Sequence, residues 1–350
     1  MMIEEKNFGR TLKKEPVTLY TLTNAAGMKA SVTDFGAILV SLLVPNERGE
    51  LADVVLGYDR VKDYMVNACC FGATIGPVAN RTANAEFKLG DTIYPLLIND
   101  NQNNLHSDGE RGLHKVLWKA EKDEDGNAVT FTVSAGDGEL GFPGNRTFKV
   151  TYSLSEDNAL SIHYQGTTDK TTVMNLTNHS YFNLKGDDSE QSIEDELIWL
   201  KASRYTPVVK GAIPTGELAP VAGTPFDFTT EKTIKKDIDA EHPQLALVDG
   251  YDHNFVIDDY QKGNLQLVAT LRDEKAGRTM EVHTDLPGIQ LYTGNCMAPE
   301  FGKEGHYYPQ RGGVCFETQY FPNSLNEKNF EKPVVASDGK YDTTTVYKFV

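Results

Sequence analysis

The chain has 350 residues, enough to bury a large core, and its 34 basic against 50 acidic residues give a formal net charge of −16. That balance argues against nucleic acid or an anionic membrane as the main partner and leaves a small neutral ligand open. The opening MMIEEKNFGR lacks the apolar centre of a signal peptide, and the longest apolar stretch, residues 37–45, is too short to span a bilayer. A soluble, cytoplasmic protein is expected.

In chain order, short β-type runs at 18–22, 29–33 and 38–44 are parted by Asn-Ala-Ala-Gly and Asp-Phe-Gly and end in a turn at 45–49. A short helix is predicted over 61–66. Cys69 and Cys70 follow; with Cys296 and Cys315 they have neither zinc-knuckle spacing nor the density of a disulfide scaffold, so reduced thiols are expected, with Cys69 and Cys70 packed in the core. Residues 87–89 and 92–94 flank Gly90-Asp91, a two-residue loop suited to a tight hairpin. Strands are predicted at 129–134, 146–154 and 160–164.

Residues 173–184, VMNLTNHSYFNL, are the most informative stretch. Read as a strand, Met174, Leu176, Phe182 and Leu184 form an apolar face, while Asn175, Thr177, His179, Tyr181 and Asn183 fall opposite. An imidazole, a phenol and amides are directional hydrogen-bonding groups suited to a ligand with many hydroxyls. Asn178 and Ser180 interrupt the apolar side, so the strand is expected to bulge or end there and aim the ring of His179. Further strands are predicted at 196–200, 265–271, 279–284, 289–294 and 314–321, with a second short helix at 231–238. No repeat, low-complexity block or divisive linker appears. One all-β domain over 1–350, a large antiparallel β-sandwich, is the simplest architecture.

Several polar residues stand out, each with an ordinary alternative. Arg81, beside Asn80, is a solvated surface charge or a rigid fork for sugar hydroxyls. His106 lies in NDNQNNLHSDG, a run that also reads as a turn, and Asp252 in DGYDHNF also reads as a strand cap. Gln290 and Tyr292 share a parity, as do Glu317 and Gln319 against Val314, Phe316 and Tyr320. A carboxylate in such an apolar strand must be paired, hydrogen-bonded or functional. The remaining histidines, His114, His163, His242, His253, His283 and His306, suggest surface or packing roles, and none belongs to an HExxH motif.

Together these pieces resemble one family, the aldose 1-epimerases or galactose mutarotases. The resemblance runs from about Phe8 to Phe349 and is carried by VANR at 78–81, NNLH at 103–106, TNHSYFNL at 177–184, DHNF at 252–255, GIQLYTGN at 288–295 and ETQYFPNSLN at 317–326. It implies a β-supersandwich with an open cleft for a free hexose, no cofactor and no metal. The glutamate matching Glu317 is then the general base and the histidine matching His179 the general acid, while Asn80, Arg81, His106, Asp252 and Gln290 hold the sugar. Two departures are visible. Pro77 stands where many members have arginine, and Ser107-Asp108 where they have Gly-Gly. The first removes a charge and stiffens the approach to Asn80; the second puts a carboxylate near the cleft and restricts the backbone. A glycoside hydrolase built on Asp252 and Glu317, a non-catalytic sugar binder and a hexose-phosphate epimerase are the competing readings. Oligomeric state is not legible.

Overall fold

Period-two runs bury alternate residues only if they pair, and here they pair as antiparallel ladders. Arg146–Leu154 and Arg278–Thr284 both alternate buried with partly exposed positions along their length. The computed structural model describes residues 3–350; Met1 and Met2, the start of the stretch read for a signal peptide, lie outside them. Among the described residues no helix is long and apolar enough to cross a membrane.

Three sheets organise the molecule. Glu4–Arg10, Pro16–Thr23, Lys29–Thr33, Ile38–Pro45 and Leu51–Asp53 form a sequential five-stranded meander. A nine-stranded sheet runs Lys119–Asp123, Ala128–Ala135, Arg146–Leu154, Ala159–Thr168, Lys340–Phe349, Arg278–Thr284, Gln266–Asp273, Leu197–Leu200 and Lys232–Thr233. A second five-stranded sheet orders Ala219–Pro220, Arg204–Tyr205, Asp252–Val256, Gly288–Tyr292 and Cys315–Gln319. One apolar cluster joins all three: Leu22, Val32 and Leu42 from the meander, Phe131, Tyr164 and Val282 from the large sheet, Phe255, Leu291 and Phe316 from the third. The fold is an all-β antiparallel sandwich, as the turn spacing implied.

The stretch 173–184 departs from the two-faced strand expected of it. Only Thr172–Val173 and Thr177–His179 are strand, and every residue from 173 to 184 is buried. The reason is its central position. It hydrogen-bonds to the segment just after the meander through Leu56 N to Tyr181 O and Asn183 N to Val54 O, and to residue 314 through Phe182 N to Val314 O. It also binds the loop before Arg81 through Asn175 N to Pro77 O. Two of its amides spend themselves on backbone: Asn175 brackets Tyr320, its Nδ2 donating to Tyr320 O at 3.1 Å and its Oδ1 accepting Tyr320 N–H at 2.9 Å, and Asn183 donates to Gly312 O and Gln191 O. The polar face is therefore mostly scaffolding.

The helix expected at 61–66 is present as Val61–Val66, whose last carbonyls accept from Lys115 Nζ. The one expected at 231–238 is not. Lys232–Thr233 pairs with Leu197–Ile198 as an edge strand and Ile234–Lys236 is a single 3-10 turn. Lys232 is drawn inward by Pro225 O, Asp237 and the face of Phe228, which overrides helical propensity. A short helix missed by the sequence reading, Pro243–Ala246, begins at His242, whose ring accepts the Gln244 N–H. The hairpin Glu86–Leu89 with Thr92–Pro95 forms around Gly90-Asp91 as its turn residues require.

Candidate active site

His179 owes its position to the end of a strand. Thr177–His179 pairs with Ala73–Ile75, and the side chain of Asn178 then closes the strand by accepting both Ser180 N–H at 3.0 Å and Ser180 Oγ–H at 2.6 Å. Gly72 donates to His179 O, and no other residue would fit there: its φ is +64° and a Cβ would lie 1.9 Å from Leu39 O. The imidazole is stacked on Tyr181 at 5.1 Å, meets His106 edge-on at 5.4 Å and has Cys315 Sγ 3.6 Å from Nδ1.

Glu317 comes from the other side, on the third sheet. Register puts Asn254 opposite Gln290 and Gln290 opposite Glu317, with Asp252, Tyr292 and Cys315 forming the next row on the same face. Antiparallel pairing thus carries two polar rows from three strands to one surface. His179 Nε2 lies 3.7 Å from Glu317 Oε1. Glu317 Oε2 is buried with no protein hydrogen-bond partner.

The third wall is a pair of interlocked loops. Arg81–Thr82 pairs with Asn104–Leu105, His106 N–H donates to Asn80 O, and Asn80 N–H donates to His106 Nδ1, both at 3.1 Å. Because a backbone N–H is only a donor, His106 Nδ1 must be an acceptor and the neutral ring carries its proton on Nε2. Arg81 donates from Nε to Asp100 at 2.8 Å and from Nη1 to Asp252 at 3.4 Å. Gln290 Nε2 donates to the other oxygen of Asp252 at 2.6 Å.

Asn80, Arg81, His106, His179, Asp252 and Glu317 line one cavity of about 230 Å³, joined by Tyr181, Tyr292, Leu105, Met297 and three cysteines. Gln290 is not on that wall; it stands behind, touching Asp252. Cys69 and Cys70 are not core residues. Both are partly exposed cavity wall, and Cys70 takes the left-handed conformation at φ +59°. No periodic signal marks them, because they sit in a loop. Cys296 at the rim was also missed.

The two departures noted above resolve locally. Asp108 is not on the cavity wall; its carboxylate accepts Glu110 and Arg111 N–H groups and pairs with the Arg111 side chain. His106 and Ser107 both take the left-handed conformation, at φ +55° and +67°. The restriction expected of serine is offset by its hydroxyl, which accepts Val78 N–H and donates to Val78 O, each at 2.9 Å. Pro77 lends its carbonyl to Asn175.

The electrostatics follow from burial. Desolvation pushes Glu317 up to about 8; the charge of Asp252 adds to the rise and Arg81 opposes it. Desolvation pushes His179 down to about 4, with Asp252 pulling the other way. His106 falls well below its ordinary value for the same reason, aided by His179 and Arg81. Burial works against the Arg81 charge, yet Asp252 and Asp100 raise its pKa overall. Near neutral pH the free cleft therefore holds carboxylic acid and imidazole, which is the ion pair with its one proton moved across. His106, His179 and Glu317 bring ligand atoms within 4.8 Å of one another, close enough for a metal ion. The tautomer fixed by Asn80 gives His106 an N–H rather than a lone pair to offer, which does not suit a ligand.

The sequence profile of the aldose 1-epimerase family matches residues 18–348. Galactose mutarotase from Sus scrofa is 38% identical over 92% of this chain and 91% of its own, and aldose 1-epimerase from Escherichia coli K12 is 35% identical over 96% of both. Among solved structures, a GalM/aldose epimerase homologue from C. elegans superposes with a TM-score of 0.86 at 28% identity, covering 95% of this chain and 98% of that one. Galactose 1-epimerase from Lactobacillus acidophilus NCFM gives 0.84 at 28% identity over 100% and 99%. With a family profile that spans nearly its whole length and relatives of this identity, the chain belongs to the aldose 1-epimerase family.

Proposed function

We propose that the cavity opens and recloses the ring of a free aldohexose such as galactose or glucose, interconverting its α and β anomers. The observation that carries this is the meeting of His179 Nε2 and Glu317 Oε1 at 3.7 Å, from chain positions far apart, on the wall of a sugar-sized cavity. Glu317 is the base and His179 the acid. Glu317 Oε2 has no protein partner, and a hydroxyl donor there favours the ionised carboxylate and moves the proton to the imidazole. Glu317 then takes the proton from the C1 hydroxyl while His179 gives one to the ring oxygen. The C1–O5 bond breaks, the aldehyde turns about C1–C2, and closure on the other face reverses both transfers. One proton leaves and one arrives, so no redox partner, metal or cofactor is called for. A positioned acid or base is worth roughly 10²- to 10⁴-fold.

The holding role falls to Asn80, Arg81, His106 and Asp252 on the wall, with Gln290 acting through Asp252. Among the described residues Arg81 is the one arginine or lysine lining the cavity, and two carboxylates already engage it. A neutral monosaccharide fits this better than a hexose phosphate, which needs a free cation. With a net charge of −16, phosphate polymers and anionic membranes are poor partners. We read residues 1–350 as one functional unit acting in the cytoplasm. Polarimetry of freshly dissolved α-D-galactose and α-D-glucose tests the proposal: catalytic amounts should speed the approach to anomeric equilibrium. Stoichiometric binding without acceleration would make the protein a sugar binder instead.

A further inference from the structure

One buried side chain on the Glu317 face has no part in the acid and base chemistry. Gln319, two residues along the same strand, is fully buried. Its Nε2 donates to Gln290 Oε1 at 3.2 Å and to Asn254 Oδ1 at 3.3 Å. Gln290 in turn donates to Asp252 at 2.6 Å, and Asp252 accepts from Arg81 on its other oxygen at 3.4 Å. The chain of bonds runs unbroken from the core to the cavity wall.

Its polarity is forced. A carboxylate only accepts, so the Gln290 NH₂ must face Asp252 and its carbonyl must face Gln319; Gln319 must then present its NH₂. Read in reverse, the Gln319 NH₂ blocks the flip that would turn the Gln290 carbonyl against the Asp252 carboxylate. The backbone makes room for this arrangement. Gly288 lies opposite Gln319 in register, and a Cβ there would come within 2.5 Å of Asn254 Oδ1 and 2.7 Å of Phe321.

We propose that Gln319 is a positioning residue that fixes the amide of Gln290, and through it the carboxylate of Asp252, in the orientation that holds the sugar. The inference rests on the sugar-site reading above. It is tested by a double-mutant cycle on the full chain, with galactose KM and kcat followed by polarimetry. Gln319→Met strands a buried carbonyl and should raise KM about tenfold with little change in kcat. Gln290→Met should raise KM by a similar factor, and the double variant should be no worse than Gln290→Met alone. A merely structural role would make the two effects multiply, and that result, or an unchanged KM in Gln319→Met, overturns the relay. The side-chain NH₂ resonances of Gln290 in the sugar-free protein supply a readout that does not depend on the substrate. They should shift in Gln319→Met, and unshifted resonances also overturn the relay. If they shift while Gln290→Met leaves KM unchanged, the failure lies in the sugar-holding assignment, and the proposal falls with it. Should Gln319→Met not fold, Gln319→Asn, one methylene too short to reach, takes its place in the cycle.

Discussion

The two halves of the cavity wall are built on opposite principles. Arg81, Asp252, Asn80 and His106 are bound to one another and to Asp100 and Gln290, so that the protein fixes their orientations. His179 and Glu317 are more deeply buried than Arg81 and Asp252, but face each other at 3.7 Å across a gap too long for a hydrogen bond, with a thiol and an aromatic ring as other neighbours. A group held by several bonds is rigid and can position a ligand; a pair left unbonded to each other can exchange protons with one. The division of roles proposed above follows this difference in bonding.

Removing the reactive half should have the largest effect. Glu317→Gln is expected to lower catalysed mutarotation by about 10³-fold with an unchanged circular dichroism spectrum; near wild-type polarimetry would break the contrast. The same substitution should stabilise the fold in alkaline solution. A carboxyl group held at about 8 in the folded protein binds its proton more tightly than in the unfolded chain. Its contribution to stability is therefore lost as pH rises from the ordinary carboxylate range through about 8, a loss the glutamine does not suffer. Melting temperatures of the two proteins at pH 5 and pH 8.5 should diverge at the higher value.

The pH–rate profile sharpens the comparison next. Below about 4 both reactive groups are protonated and no base remains; above about 8 both are deprotonated and no acid remains. The rate should be bell-shaped between those limits. Asp252 raises both values, so Asp252→Asn should shift both limbs toward acid, besides raising KM. Arg81→Lys, in the clamped half, should raise KM about tenfold and leave kcat within a few-fold, because a lysine cannot bridge Asp100 and Asp252 with a planar fork. Smallest is the effect of Glu196→Gln. Glu196 is also buried and pushed to about 8 by desolvation, against the pull of Lys185, but it caps Leu184 N–H and lies outside the cavity. Its substitution should change melting behaviour and leave kcat/KM alone, which separates a displaced pKa from a catalytic one.

Much of this was legible in the sequence because strands advertise themselves by alternation, and the six motifs were specific enough to nominate residues that prove to share a cavity. What escaped has physical causes. Gln290 keeps the right parity, but whether a side chain tops the sheet or lies behind a neighbour depends on the diagonal contacts of three strands. The faces of 173–184 misled because a segment bonded on several sides buries both of them. Cys69, Cys70, Cys296 and Asp108 sit in loops, where no period links residue type to direction. The helix at 231–238 lost to a buried lysine two of whose three partners, Pro225 and Phe228, lie outside it.

The place of Lys340–Phe349 in the large sheet has a consequence for cooperativity. It lies between Ala159–Thr168 and Arg278–Thr284, with four strands on one side and four on the other. Neither flank can close its ladder without this segment, whose partners come from far away along the polypeptide. Partial opening of the sheet at this seam would part the two flanks together, so its amide protons should be among the slowest in the molecule to exchange with deuterated solvent.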